Sequence, residues 1–201
     1  WAAPASNGGA TITNYTIQFS SNAGDSWSTF SRTASSSTSA TVTGLTNGTS
    51  YVFRVAAINN VGSSAFSNTS NAVTPRTTPT APTSLTAVLG NGQADITWTA
   101  PTSDGGAVIT DYVIQYSSNS GTTWTTFADG TSTATSATVT GLTNGTSYIF
   151  RVAAANNVGF GTNSSNSTAV IPRRVPDAPA DVLGTTGDTQ MALSWTAPAS
   201  N

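Results

Sequence analysis

Thr43-Gly-Leu-Thr-Asn-Gly-Thr-Ser-Tyr51 recurs letter for letter as Thr140-Gly-Leu-Thr-Asn-Gly-Thr-Ser-Tyr148. Outward from this pair, one register holds without a gap. Trp1-Ala-Ala-Pro4, Trp98-Thr-Ala-Pro101 and Trp195-Thr-Ala-Pro198 lie at intervals of 97 residues. Tyr15 answers Tyr112, Trp27 answers Trp124, Phe30 answers Phe127, and Phe53-Arg-Val-Ala-Ala57 returns at Phe150–Ala154. A fixed period of this length marks a chain built from repeated units.

Within a unit the apolar residues alternate with polar ones, which is the rhythm of half-buried strands. In the second unit Leu85–Val88 reads as a first strand. Ala94, Ile96 and Trp98 alternate with Asp95, Thr97 and Thr99, and Tyr112, Ile114 and Tyr116 follow with the same step. Trp124–Phe127, Ala137–Val139, Tyr148–Ala154 and Ala169–Ile171 supply the rest. No stretch carries a helical stripe. The expected fold class is all-β, as tandem seven-stranded antiparallel β-sandwiches with one apolar and one polar face per sheet. Trp98 and Trp195 read as core anchors, each contributing about 3 kcal/mol of burial.

The residues Trp98 and Pro101, Asp104-Gly-Gly106, Ile109 and Tyr112, Gly141-Leu142 through Tyr148, Arg151–Asn156 and Asn157-Val-Gly159 together resemble a fibronectin type III domain of the kind found in secreted bacterial repeat proteins. The resemblance covers the whole chain. It implies an immunoglobulin-like sandwich and places Tyr51 and Tyr148 at a tyrosine corner, where the hydroxyl bonds back to nearby backbone. Some members of that family carry an Arg-Gly-Asp adhesion triplet in the loop before the last strand; this sequence has none there. Fold alone does not assign a function.

The expected domains are 1–75, lacking its first two strands; 76–172, complete; and 173–201, the first two strands of a further unit. Pro75, Pro79 and Pro82, then Pro172, Pro176 and Pro179, stiffen the joints. Each unit should span roughly 30–40 Å, giving a semi-rigid rod. Beginning and ending inside a second strand reads as a window on a longer array, joined head to tail with other copies or adjacent repeats.

Composition narrows the chemistry. Of 201 residues none is Cys or His, all six basic side chains are Arg and all eight acidic ones are Asp. That removes disulfides, thiolate nucleophiles, Ser-His-Asp arrangements and Schiff-base lysines. Net charge is −2 and charged residues make up 7%, which lacks the clustered basic footprint of a nucleic-acid binder. No apolar run approaches the roughly 20 residues of a membrane span. Asp104 and Asp111 are the nearest approach to a carboxylate pair, but Asn7 and Asn14 stand in their places in the first unit, so a turn role is the simpler account. No cofactor, metal or catalytic residue is assigned.

The side chains left for recognition form a possible interface set: Trp27 and Trp124, Phe66 and Phe160, Arg54 and Arg151. The tryptophans read either as sugar-stacking platforms or as ordinary strand packing. The arginines are expected on the outward face of a central strand beside Val52, Ala56 and Ile58, or Ile149 and Ala153: a lateral packing stripe or scattered exposed aliphatics. Phe66 and Phe160 sit in the loop between the last two strands and do not align across the repeat.

The functional expectation is an extracellular or cell-surface structural protein, a filament-forming fibre, stalk or matrix element acting as a spacer. Its partners would be other copies, head to tail or side by side, or cell-surface or matrix polysaccharide. The alternative is an accessory spacer or carbohydrate-binding module of a secreted polysaccharide-degrading enzyme or adhesin.

Overall fold

A computed structural model describes residues 1–198. Among them the chain is all strand and loop, with no helix. Two compact units emerge. One gathers Trp1–Pro79 with the short segments Ser103–Ile109 and Asn156–Gly159; the other gathers Thr80–Thr102, Thr110–Ala155 and the residues from Phe160 on.

The first unit contains β1 (Asn14–Ser20), β2 (Ser28–Thr29) and β3 (Val52–Ile58), paired antiparallel in the order β2-β1-β3. Tyr15 and Ile17 are buried, and the Trp1 ring meets Tyr15 edge-on at 5.4 Å.

The second unit is the fuller sandwich. β4 (Thr83–Leu89), β5 (Gln93–Thr99) and β8 (Ser136–Thr140) form one sheet; β6 (Asp111–Ser117), β7 (Thr125–Thr126), β9 (Ile149–Asn156) and β10 (Gly159–Phe160) form the other, ordered β10-β9-β6-β7. The alternation read along 94–98 is observed: Ala94, Ile96 and Trp98 are buried while Asp95, Thr97 and Thr99 are exposed. Across the gap lie Tyr112, Ile114, Phe150, Val152 and Ala154, all buried. Trp98 on β5 meets Tyr112 on β6 edge-on at 5.3 Å, so one aromatic pair bridges the two sheets. Burial raises the Tyr112 hydroxyl pKa above the ordinary tyrosine value, an effect that the neighbouring Trp98 partly offsets.

The tyrosine corners form in both units. Tyr51 OH accepts from the Thr46 N–H and Tyr148 OH from the Thr143 N–H, each at 3.1 Å. The Thr46 bond holds the Tyr51 hydroxyl pKa below the usual value.

Two expectations are corrected. Trp195 is no core anchor among the described residues. β11 (Ala180–Gly187) and β12 (Gln190–Thr196) form a separate hairpin whose residues are all exposed, and Trp195 is 60% exposed against 6% for Trp98. No second sheet among the described residues covers it.

The second correction concerns the closing strand expected at Ala169–Ile171. It is reduced to one bridge, Tyr148 to Val170. In place of a strand the chain lays down a ladder with a three-residue step. The N–H groups of Gly161, Ser164, Ser167 and Val170 donate to the carbonyls of Ala154, Val152, Phe150 and Tyr148, all at 2.8–2.9 Å. The return bonds come from side chains: the Val152 N–H donates to Ser164 Oγ and the Phe150 N–H to Ser167 Oγ, both at 3.0 Å. The first unit repeats the device with Ser64, Ser67 and Ser70 against Ala57, Val55 and Phe53. A serine at every third position thus supplies donor and acceptor where a strand would supply backbone alone.

Ser167→Ala leaves the buried Phe150 N–H without an acceptor. It should destabilise the second unit by about 1–3 kcal/mol in urea unfolding, while Ser165→Ala on the exposed side of the same ladder stays within about 0.5 kcal/mol of the parent.

Candidate functional site

The candidate site is the outer face of the sheet that carries β3 or β9. Side chains two apart on a strand share a face, so Val52, Arg54 and Ala56 point the same way, as do Ile149, Arg151 and Ala153. Val52, Ala56 and Ala153 are buried. The outward aliphatics expected from the sequence are therefore covered at these three positions.

In the first unit Arg54 lies between two rings. Its guanidinium carbon is 4.1 Å from the Trp27 ring centre and 4.4 Å from that of Phe66. Gln18, opposite on β1, fixes the plane: its Oε1 accepts from Arg54 Nε at 2.9 Å and from Nη2 at 2.7 Å. A planar cation with both faces on aromatic rings and its edge on an amide is held in one orientation.

The second unit repeats half of this arrangement. Arg151 sits 4.1 Å from the Trp124 ring centre, and its Nε donates to Gln115 Oε1 at 2.8 Å. No second ring lies over Arg151 among the described residues, and Nη2 makes no bond to Gln115. A cleft of about 500 Å³ opens here, lined by Val113, Gln115, Arg151, Ala153, Phe160 and Asn163.

The turn before each tryptophan is built the same way. Ser117 Oγ accepts from the Gly121 N–H at 2.9 Å, and Asn119 Oδ1 accepts from the Thr123 N–H at 2.9 Å. Gly121 adopts φ of +88°, and a Cβ there would stand 3.4 Å from the Trp124 ring. Ser20, Asn22 and Gly24 do the same beneath Trp27. Trp27 and Trp124 are thus half-buried, each with a guanidinium on one face.

The ladder explains why the phenylalanines do not align. Phe66 lies directly before Ser67, and Asn163 directly before Ser164, which is the register partner. Phe160 lies one rung earlier, directly before Gly161. A three-residue step keeps residues 160, 163 and 166 on one side, so moving the aromatic by three moves it along the same face. Both are loop residues by sequence, but Phe160 belongs to β10 and Phe66 to the ladder. Phe66 is 38% exposed and Phe160 69%. The spacing Ser64, Ser67, Ser70 was the signal that could have shown this.

The carboxylates serve the backbone. Asp104 Oδ1 accepts from the Gly106 N–H at 2.8 Å, and Asp111 Oδ1 from the N–H groups of Tyr112 and Ser132, both at 2.9 Å. Asn14 Oδ1 takes the same bond from Ser35 at 3.0 Å, which is why an amide replaces the acid between repeats. No group of three potential metal ligands occurs among the described residues, and no helix there is long and apolar enough to cross a membrane.

Two-sheet packing, tyrosine corners and Greek-key strand order define an immunoglobulin-like β-sandwich protein. The Fibronectin type III domain family matches residues 1–73 and 80–170, and the chain belongs to that family. Its relatives include striated-muscle M-protein of Gallus gallus, 29% identical over 88% of this chain, and Myomesin-2 of Homo sapiens, 27% identical over 88%. This chain spans 12% of the length of each. Domains A168–A170 of titin share the fold, with a TM-score of 0.54 at 22% identity over 82% of this chain and 61% of theirs. These relatives are muscle proteins of animals, so the likeness to secreted bacterial repeat proteins is not carried by them.

A double-mutant cycle pairing Arg54→Met with Phe66→Leu should return a coupling of about 0.5–1 kcal/mol in the stability of the first unit. The matching cycle at Arg151 and Asn163 should return a coupling near zero, because Asn163 makes no contact of that kind.

Proposed function

We propose that this chain is a stretch of a structural tandem-repeat protein in which each sandwich serves as a semi-rigid, load-bearing spacer. The setting we propose is a fibre, stalk or matrix element outside the cell or at its surface, with adjacent repeats and further copies of the chain as partners. The observation that carries the reading is the repetition of one mechanical device. Both units zip their last segment onto the central strand with the same three-residue serine ladder, and both lock the tyrosine corner at 3.1 Å.

Other features support it. The chain's muscle relatives contain a stretch similar to this pair of domains. The Asp side chains nearest to forming a pair are committed to backbone N–H groups, which supports a role without catalysis. A charge of −2 on 201 residues sets little repulsion between neighbouring chains.

Load-bearing makes a concrete demand. Rungs that lie across the pulling direction must break together before a unit extends, so unfolding under force is abrupt. Stretching the whole chain between a cantilever and a surface should give a sharp force peak for residues 80–170, followed by a contour-length gain of about 28 nm. Smooth extension without a peak contradicts the spacer reading.

A further inference from the structure

We propose that the cleft over Arg151 is a binding site for an aromatic side chain carried by a partner polypeptide. This goes beyond the spacer role, because it gives the second unit a recognition function that the first unit lacks.

The two units serve as internal references for each other. Arg54 and Arg151 occupy the same register, stack on equivalent tryptophans at the same 4.1 Å, and face equivalent glutamines. In the first unit a phenylalanine from the chain itself fills the remaining face of the guanidinium, 4.4 Å from its carbon. That contact states the chemistry the site selects: a flat ring laid on a cation already backed by an indole. In the second unit the residue at that rung is Asn163, the ring is missing, and a cleft of about 500 Å³ stands in its place.

Two further features fit a visiting residue. Gln18 accepts from both Nε and Nη2 of Arg54, whereas Gln115 accepts only from Nε of Arg151. Arg151 Nη2 is left to donate to a carbonyl of the incoming chain. Phe160, displaced one rung from the filled position, lines the cleft at 69% exposure and offers a second ring against which the visitor packs. Val113 and Ala153 supply an apolar floor.

A peptide is the occupant because the filled site is itself peptide: Phe66 arrives on a segment bonded along β3 at Ser64, Ser67 and Ser70. A sugar stacks on a bare indole face, but the face of Trp124 on this side already carries Arg151. A free guanidinium face stacks on a flat π system.

The test uses the full 201-residue chain, labelled with ¹⁵N, and follows the Arg151 Nε–H and Trp124 indole N–H signals. The probe is acetyl-Ser-Ala-Phe-Ser-Asn-amide, the sequence of residues 64–68. Its controls are the same peptide with leucine for phenylalanine and methyl β-glucoside. The expected result is a saturable shift of both signals with the phenylalanine peptide, with affinity about fivefold or more above the leucine peptide, and no movement of the Arg54 signals. Asn163→Phe should fill the cleft and abolish the response. Phe66→Asn should create it at Arg54, which keeps the test decisive if the first variant fails to fold. Equal binding of the leucine peptide, a response to the glucoside instead, an absence of saturable shifts, or no gain at Arg54 in a folded Phe66→Asn chain would overturn the proposal.

Discussion

Three residues of one segment spanning two residues of a strand is the constraint on which the rest of this structure depends. A regular strand laid beside β3 or β9 would turn alternate side chains to opposite faces. The ladder abolishes that alternation. Every third residue turns toward the strand, and where it is serine it spends its hydroxyl there, as Ser67 does: its Oγ accepts from the Val55 N–H at 3.1 Å and donates to the Asn68 carbonyl at 2.8 Å. Serine suits the position because it is short, carries both donor and acceptor, and reaches its own neighbouring backbone. At Ser164 or Ser167, whose bonds are buried, an alanine would leave a strand N–H without a partner in a dry place, which is the expensive side of hydrogen-bond energetics.

From that step follows the character of the outer face. The residue just before each rung is always presented to the same side, so a row of positions crosses the sheet opposite the central arginine. Which residue occupies the middle position decides what the arginine becomes. With Phe66 there, Arg54 is a buttress, closed on both faces and tied at its edge. With Asn163 there, Arg151 keeps the indole behind it and an open face in front. Two units that share a tyrosine corner and a turn thereby differ on this outer face, through changes at two neighbouring rungs, Ser63 to Phe160 and Phe66 to Asn163. Repeat proteins with a conserved scaffold and variable surface positions can diversify in this way without disturbing the sandwich.

Much of the fold was legible because its signals are local or periodic. Ala94, Ile96 and Trp98 announce an inward face, the Gly-Leu segment before Tyr148 announces the corner, and the common register exposes the repeat. The misreadings have physical reasons. Ala169–Ile171 has the composition of a strand, but serine hydroxyls compete with backbone acceptors along 161–170 and impose a different period. Trp195 matches Trp98 in sequence, yet burial is a property of a second sheet, which sequence equivalence does not supply. The six aromatic and arginine residues named from the sequence do assemble, but as Trp27–Arg54–Phe66 and as Trp124–Arg151 with Phe160 at the rim. Their stacking was hidden because Phe66 and Phe160 fall three positions out of register, a shift that looks like divergence until the three-residue step is known.

Amide hydrogen exchange along residues 161–170 tests this account most directly. The ladder requires slow exchange at Ser164, Ser167 and Val170, with fast exchange at the residues between them. Protection at every second residue would mean an ordinary strand, and the explanation of the outer face given above would fail with it.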